Sequence, residues 1–221
     1  MELLSDGWAW VTAPAIEVAG VATSRLEVIA FVTGAWCVWL VARQRALNWP
    51  IGILNAVAFL FLFATAGLFA DAALQIVYVG LGLYGWWQWV YGGPNRNDLP
   101  VTTTTPRQWV LLAGIGGLGT AALWWLLATH TGSTVPLPDA ATTVLSLAAT
   151  WGQCVKKVES WWLWIVADVV YVPLYAYKGL WLTGSLYLVF LTLCVVGLRA
   201  WRRDLVGAAA GPAFGFDAAV A

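Results

Sequence analysis

Residues 159–178 read ESWWLWIVADVVYVPLYAYK, and helical spacing puts Trp161, Trp164 and Asp168 on one face, with Tyr171 and Tyr175 continuing the stripe. Indole and phenol rings stack on planar ligands, and a carboxylate pairs with a positive charge or accepts hydrogen bonds from hydroxyls. An acid at membrane depth is costly and is usually turned toward a cavity, so Asp168 marks this face as a candidate binding site. The tyrosines alone would read as helix packing, since tyrosine packs well wherever its hydroxyl finds a partner.

The elements that must hold this stripe are membrane helices. Of the 221 residues 61% are hydrophobic and 10% charged, and the mean hydropathy is +0.77. That places the chain among all-α polytopic membrane proteins. Seven spans of the length needed to cross the hydrocarbon are expected near 24–42, 48–69, 71–92, 107–130, 139–156, 160–178 and 181–201. Ahead of them, residues 1–23 carry Glu2 and Asp6 where a cleaved signal would be positive. This segment is expected to be a short interfacial helix with Trp8 and Trp10 at headgroup level. Behind them, 204–221 is expected to be a loose cytoplasmic tail.

Basic residues set the orientation. With seven spans, one side holds Arg43, Arg45, Arg96, Arg107, Lys156, Lys157, Arg199, Arg202 and Arg203, against Arg25 and Lys178 on the other. Because lysine and arginine concentrate on the cytoplasmic side, the amino terminus is expected outside and the carboxyl terminus in the cytoplasm. Formal net charge is zero, so overall charge makes no case for nucleic acid.

An internal repeat divides the spans. A shift of 113 lays Arg43 on Lys156, Trp49 on Trp162 and Asn55 on Asp168; one gap later, a shift of 112 lays Leu68 on Leu180, Gly85 on Gly197 and Trp89 on Trp201. The expected organisation is a first three-helix repeat at 24–92 and a second at 139–203. Between them, 93–138 supplies a cytoplasmic loop and a linker helix at about 107–130. Such a 3+1+3 parallel repeat places substrate near the midplane between the repeats, where Asn55 and Asp168 would face each other.

These residues resemble the PnuC-type vitamin transporters over most of 24–203. NWPIGILN and GLFADAALQIVYVGLGLYGWWQW are similar to the family's second and third helices. DAATTVLSLAAT and KKVESWWLWIVADVVYVPLYAYKGLWLTGSLY are similar to its fifth to seventh. The family's WxxWxxx[N/D] signature falls on Trp161, Trp164 and Asp168. The resemblance implies a SWEET-like fold, a homotrimer in the bacterial inner membrane, and facilitated diffusion of nicotinamide riboside trapped by a cytoplasmic kinase. Thiamine or riboflavin on the same scaffold is the alternative.

The chemistry suits such a ligand without the name. Nicotinamide riboside is a planar cation on a polyhydroxylated sugar. Trp161 and Trp164 can stack on the ring, Asp168 can offset its charge or bind ribose, and Asn55, Gln75, Tyr78 and Trp49 can add contacts. No lysine or arginine lies mid-span, which disfavours a phosphate-bearing substrate, and no second mid-membrane acid accompanies Asp168, which argues against proton coupling. Asp71, Glu27 and Glu159 sit at span ends and read as solvated or helix-end groups. No cofactor or metal is called for. A membrane-embedded enzyme is a remote alternative, since Ser/His, Cys/His and HExxH constellations are missing from the sequence.

Other patterns fail on context. Gly114, Gly116 and Gly119 satisfy GxGxxG but sit in an apolar helix, where helix packing is the better reading. Cys37, Cys154 and Cys194 are dispersed and read as small apolar residues, and His130 as an interfacial residue without a visible partner. GGPNRNDLPVTTTTPRQ reads as a flexible joint. Pro173 is a candidate kink beside Asp168.

Overall fold

The apolar runs fold as helices because, in lipid, only a helix satisfies its own backbone donors and acceptors within the segment. The computed structural model describes residues 10, 13–18, 21–65, 69–96, 98–131, 135–177 and 181–210. Seven α-helices appear among them: α1 (Arg25–Ala42), α2 (Asn48–Thr65), α3 (Phe69–Tyr91), α4 (Pro106–His130), α5 (Pro136–Cys154), α6 (Ser160–Tyr177) and α7 (Trp181–Ala210). Their ends fall within about one turn of the expected spans, except at the carboxyl end of α7.

Local chemistry accounts for sharp boundaries. Thr105 caps α4 in a reciprocal box: its hydroxyl accepts from the Gln108 N–H at 3.3 Å, and the Gln108 amide oxygen accepts from the Thr105 N–H at 2.9 Å. Pro106 follows at the first helical position, where its missing N–H costs nothing. None of the residues of α4 is buried, and it presents Val110, Ile115 and Leu118 at 70% exposure or more. A 25-residue apolar helix with no buried residue belongs in hydrocarbon.

Packing in the two halves matches. α1 packs on α2 as α5 does on α6; α2 packs on α3 as α6 does on α7; and α3 meets α5 as α7 meets α1. α4 stands outside these pairings and packs on α5, where Gly116 and Gly119 face Val144. Single contacts recur at a fixed offset. Trp49 lies on Gly85 and Trp161 on Gly197 so closely that a Cβ at either glycine would sit 2.4 Å from the indole. Trp49 and Trp89 meet edge-on at 5.5 Å, as do Trp161 and Trp201 at 5.4 Å. The Trp89 indole N–H donates to the Gln153 carbonyl at 2.8 Å, and that of Trp201 to the Val41 carbonyl at 3.1 Å. Lys156 donates to the Gln44 side chain, 112 residues away, at 3.0 Å.

That offset corrects the expected register. The matching residue of Trp49 is Trp161, not Trp162, and that of Asp168 is Ala56, not Asn55. Tandem tryptophans make the shift ambiguous by one in sequence. Packing resolves it, because Trp161 is fully buried while Trp162 is 45% exposed beneath the Arg202 guanidinium.

Other expectations change too. Within the amino-terminal segment, Pro14–Val18 (β1) and Val21–Ser24 (β2) form an antiparallel hairpin rather than a helix. Its alternating Ile16, Val18, Val21 and Thr23 favour a pleated strand. Arg25, at the foot of the hairpin, stacks over Trp10; Trp8 lies outside the described residues. The 98–105 loop is tied down rather than a free joint. Thr102 N–H donates to the Lys156 carbonyl and its own carbonyl accepts from Val158 N–H, both at 3.0 Å. Thr104 donates through N–H and hydroxyl to Glu159 at 2.9 and 2.8 Å, so Glu159, at the amino-terminal end of α6 as one of its two expected readings had it, is also a loop anchor. The α7 helix continues through 204–210, where Gln44 donates to Asp204, so that part of the expected tail is helical. His130 meets the Thr129 hydroxyl and, edge-on at 5.3 Å, the Trp125 ring.

Candidate functional site

Asp168 lies two turns into α6 and is only 2% exposed, so it needs a partner or a ligand. The Cys194 thiol of α7 supplies one contact, donating to its carboxylate at 3.5 Å. Cys194 is thus a polar neighbour and not merely a small apolar residue; Cys154 likewise donates, to the Leu81 carbonyl at 3.2 Å. Asp168 opens onto a cavity of about 350 Å³ enclosed by α1, α2, α3, α5, α6 and α7.

The cavity gathers much of what the sequence singled out. Trp49, Asn55, Gln75, Tyr78, Trp164 and Asp168 all line it. Asn55 donates to the Thr33 hydroxyl at 2.7 Å, and the Tyr78 hydroxyl meets that of Ser146 at 2.6 Å, so neighbouring helices aim both groups. The indole N–H groups of Trp49 and Trp164 are buried and have no acceptor. The Trp161 indole N–H, away from the cavity, and the Ser160 hydroxyl are likewise buried without a partner, and each such group costs about 1–3 kcal/mol.

Two expected members stand elsewhere. Trp161 does not line the cavity: it is fully buried against Gly197 and Trp201. It shares an azimuth with Trp164 but sits one turn nearer the end of the bundle, where a glycine on α7 lets the ring lie on backbone. Tyr171 is outside the lining and packs its ring 4.7 Å from that of Tyr187. The side chain of Tyr175 lies outside the described residues.

Residues that sequence reasoning passed over complete the wall: Asn48, Thr150, Gln153, Tyr187, Phe190 and Cys194 among them. A correct offset would have found several. Val38 and Thr150, Val41 and Gln153, Gly52 and Trp164, Ala56 and Asp168, Gln75 and Tyr187, Tyr78 and Phe190, and Gly82 and Cys194 are pairs at the 112-residue spacing, and both members of each line the cavity.

With that geometry in hand, comparison with known proteins is decisive. A family model described as nicotinamide mononucleotide transporter matches residues 24–203. The chain belongs to this family. Within it, the chain is similar to the riboflavin/roseoflavin transporter RibM of Streptomyces davaonensis, 31% identical over 170 residues covering 73% of this chain and 79% of that protein. It is also similar to the nicotinamide riboside transporters PnuC of Neisseria mucosa (26% over 195 residues, 81% of this chain and 73% of that protein) and Escherichia coli (24% over 211 residues, 84% and 88%). A crystal structure of the vitamin B3 transporter PnuC superposes with a TM-score of 0.64 at 26% identity, covering 82% of each chain. The resemblance drawn from the tryptophan signature is therefore correct, and the relatives are transporters rather than enzymes.

For a member of a family described by a mononucleotide, the lining is informative: it includes one acid and, among the described residues, no lysine or arginine. A phosphate would find no cationic clamp there.

Proposed function

We propose that this protein carries nicotinamide riboside across the bacterial inner membrane by facilitated diffusion, with uptake driven by cytoplasmic phosphorylation. The observation that carries this reading is a single buried carboxylate, Asp168, in a cavity walled by Trp49 and Trp164 and by the neutral Asn55, Gln75 and Tyr78. The pyridinium stacks on the indoles and sits by Asp168; ribose hydroxyls meet the amides and the phenol. The recurring contacts support a 3+1+3 parallel repeat of the SWEET-like kind, α4 being the linker and the cavity lying between the halves. Clustering of the basic residues at one end supports an outside amino terminus and a cytoplasmic carboxyl terminus. By family resemblance the working unit is a homotrimer.

Riboflavin is the second reading, favoured by the similarity to RibM. It is neutral and gains little from Asp168. Titration of detergent-purified protein with nicotinamide riboside, its 5′-phosphate, thiamine and riboflavin, read by tryptophan fluorescence or calorimetry, separates the readings. Binding of the riboside without its phosphate is expected; tight riboflavin or thiamine binding with no riboside binding would overturn the substrate.

A further inference from the structure

A layer of tryptophans borders the cavity at Trp49. Trp49 forms part of the wall, meets Trp89 edge-on, Trp89 meets Trp201 at 6.0 Å, and Trp201 meets Trp161 edge-on. This four-indole chain runs from one half of the molecule to the other. It joins Val41, Cys154, Val158 and Leu198 in the buried core, which is gathered at the basic end of the bundle. The two central indoles cross-brace the halves, Trp89 to the end of α5 and Trp201 to the end of α1. Their acceptors are carbonyls in the last turns of those helices, each of which also accepts the backbone N–H three residues on, Val41 from Gln44 at 2.9 Å and Gln153 from Lys156 at 3.1 Å, so the indoles take the second lone pair.

Lys156 sits on top of this layer. It is 5% exposed, its ammonium lies 4.6 Å from the centre of the Trp89 ring, and it donates to Gln44. Gln44 in turn donates to Asp204. Lys156 and Gln44 hold matching places in the turns after α5 and α1, each at positive φ, 47° and 52°. Two matching turns therefore touch across the molecule through one lysine.

We propose that this layer is the gate on the basic side of the cavity, and that Lys156 is its latch: release from Gln44 and Trp89 frees the crossed indole bonds and lets ligand leave toward the cytoplasm. The assignment rests on the transporter reading and on the orientation proposed above. Its test uses Cys37, a cavity-lining thiol, as reporter. Right-side-out and inside-out vesicles carrying wild type, Lys156→Met or Gln44→Leu are exposed to a membrane-impermeant maleimide, and Cys37 labelling is timed by mass spectrometry. Riboside binding is measured on the same preparations.

Loss of a charge-assisted bond is expected to raise Cys37 labelling from the basic side by roughly tenfold or more, with labelling from the other side unchanged. Should Lys156→Met fail to yield monodisperse protein, Gln44→Leu carries the test, because it removes the same contact without touching the lysine. Unchanged labelling in folded variants, or an equal rise from both sides, would overturn the gate. A wild type that binds no riboside while the variants still open one side would leave the gate standing and remove the substrate assignment.

Discussion

Asp168 combines near-complete burial with a place on the cavity wall, and its thiol partner is a weak donor that leaves most of its acceptor capacity unused. Under the proposed function, Asp168→Asn keeps size and shape but removes the charge and turns one acceptor oxygen into an amide donor, so affinity for nicotinamide riboside should fall by roughly tenfold or more while riboflavin binding stays level. Calorimetry on the purified variant checks this; an unchanged riboside affinity would sink the charge-pairing idea. Trp164→Phe retains a ring and deletes the unpaired indole donor, and should weaken the riboside by about fivefold to tenfold in the same assay. Trp164 and Asp168 were legible because a four-residue spacing fixes azimuth on a helix. Trp161 was not, because spacing says nothing of depth along the axis or of the glycine waiting on the neighbouring helix.

Among the helices, the paired glycines carry the tightest constraint. A Cβ at Gly85 or Gly197 would sit inside an indole, so Gly85→Ala and Gly197→Ala should each destabilise by about 1–3 kcal/mol, seen as a lower melting temperature in detergent. Matching losses at the two sites would support their equivalence. Pro173 lies within α6, which runs on to Tyr177, five residues beyond Asp168. Replacing it with alanine and comparing transport rate with affinity separates a hinge, which changes rate at constant affinity, from a static bend, which changes neither. Helix positions were legible from hydropathy because lipid enforces them. The 98–105 loop was not: its anchors, the Lys156 carbonyl and Glu159, lie more than fifty residues away in sequence, and polar composition alone suggests mobility.

For the whole molecule, the uneven core has a measurable signature. Burial depresses the pKa of Lys156, with Asp98 and Asp204 opposing the shift. The folded protein then binds fewer protons than the unfolded chain at alkaline pH, so stability should rise with pH between the lowered folded value and the ordinary lysine value. Melting curves across that range should show the slope in wild type and lose it in Lys156→Met. Contacts recur at a spacing of 112 residues, where the sequence alone pairs Trp49 with Trp162 at 113; tandem tryptophans leave that choice open, and three-dimensional contacts make it Trp161.

Those unequal partners have a consequence for how a guest is held. A chamber made from two identical parallel halves would offer every group twice, and an elongated molecule lying across it could take either of two orientations, half a turn apart about the membrane normal, with equal ease. Here Ala56 stands where the other half has Asp168, and Gly52 where it has Trp164, while Asn55 has only Ala167 as its counterpart. The charge belongs to one side alone, while both sides supply a large ring, Trp49 and Trp164, and neutral hydrogen-bonding groups. Under the proposed function, a molecule with a cationic head and a sugar tail therefore lies across the cavity in one of those two orientations, head toward Asp168. Under the proposed 3+1+3 reading, two copies of one three-helix chain would have to bury the acid twice, and a single chain with unlike halves buries it once.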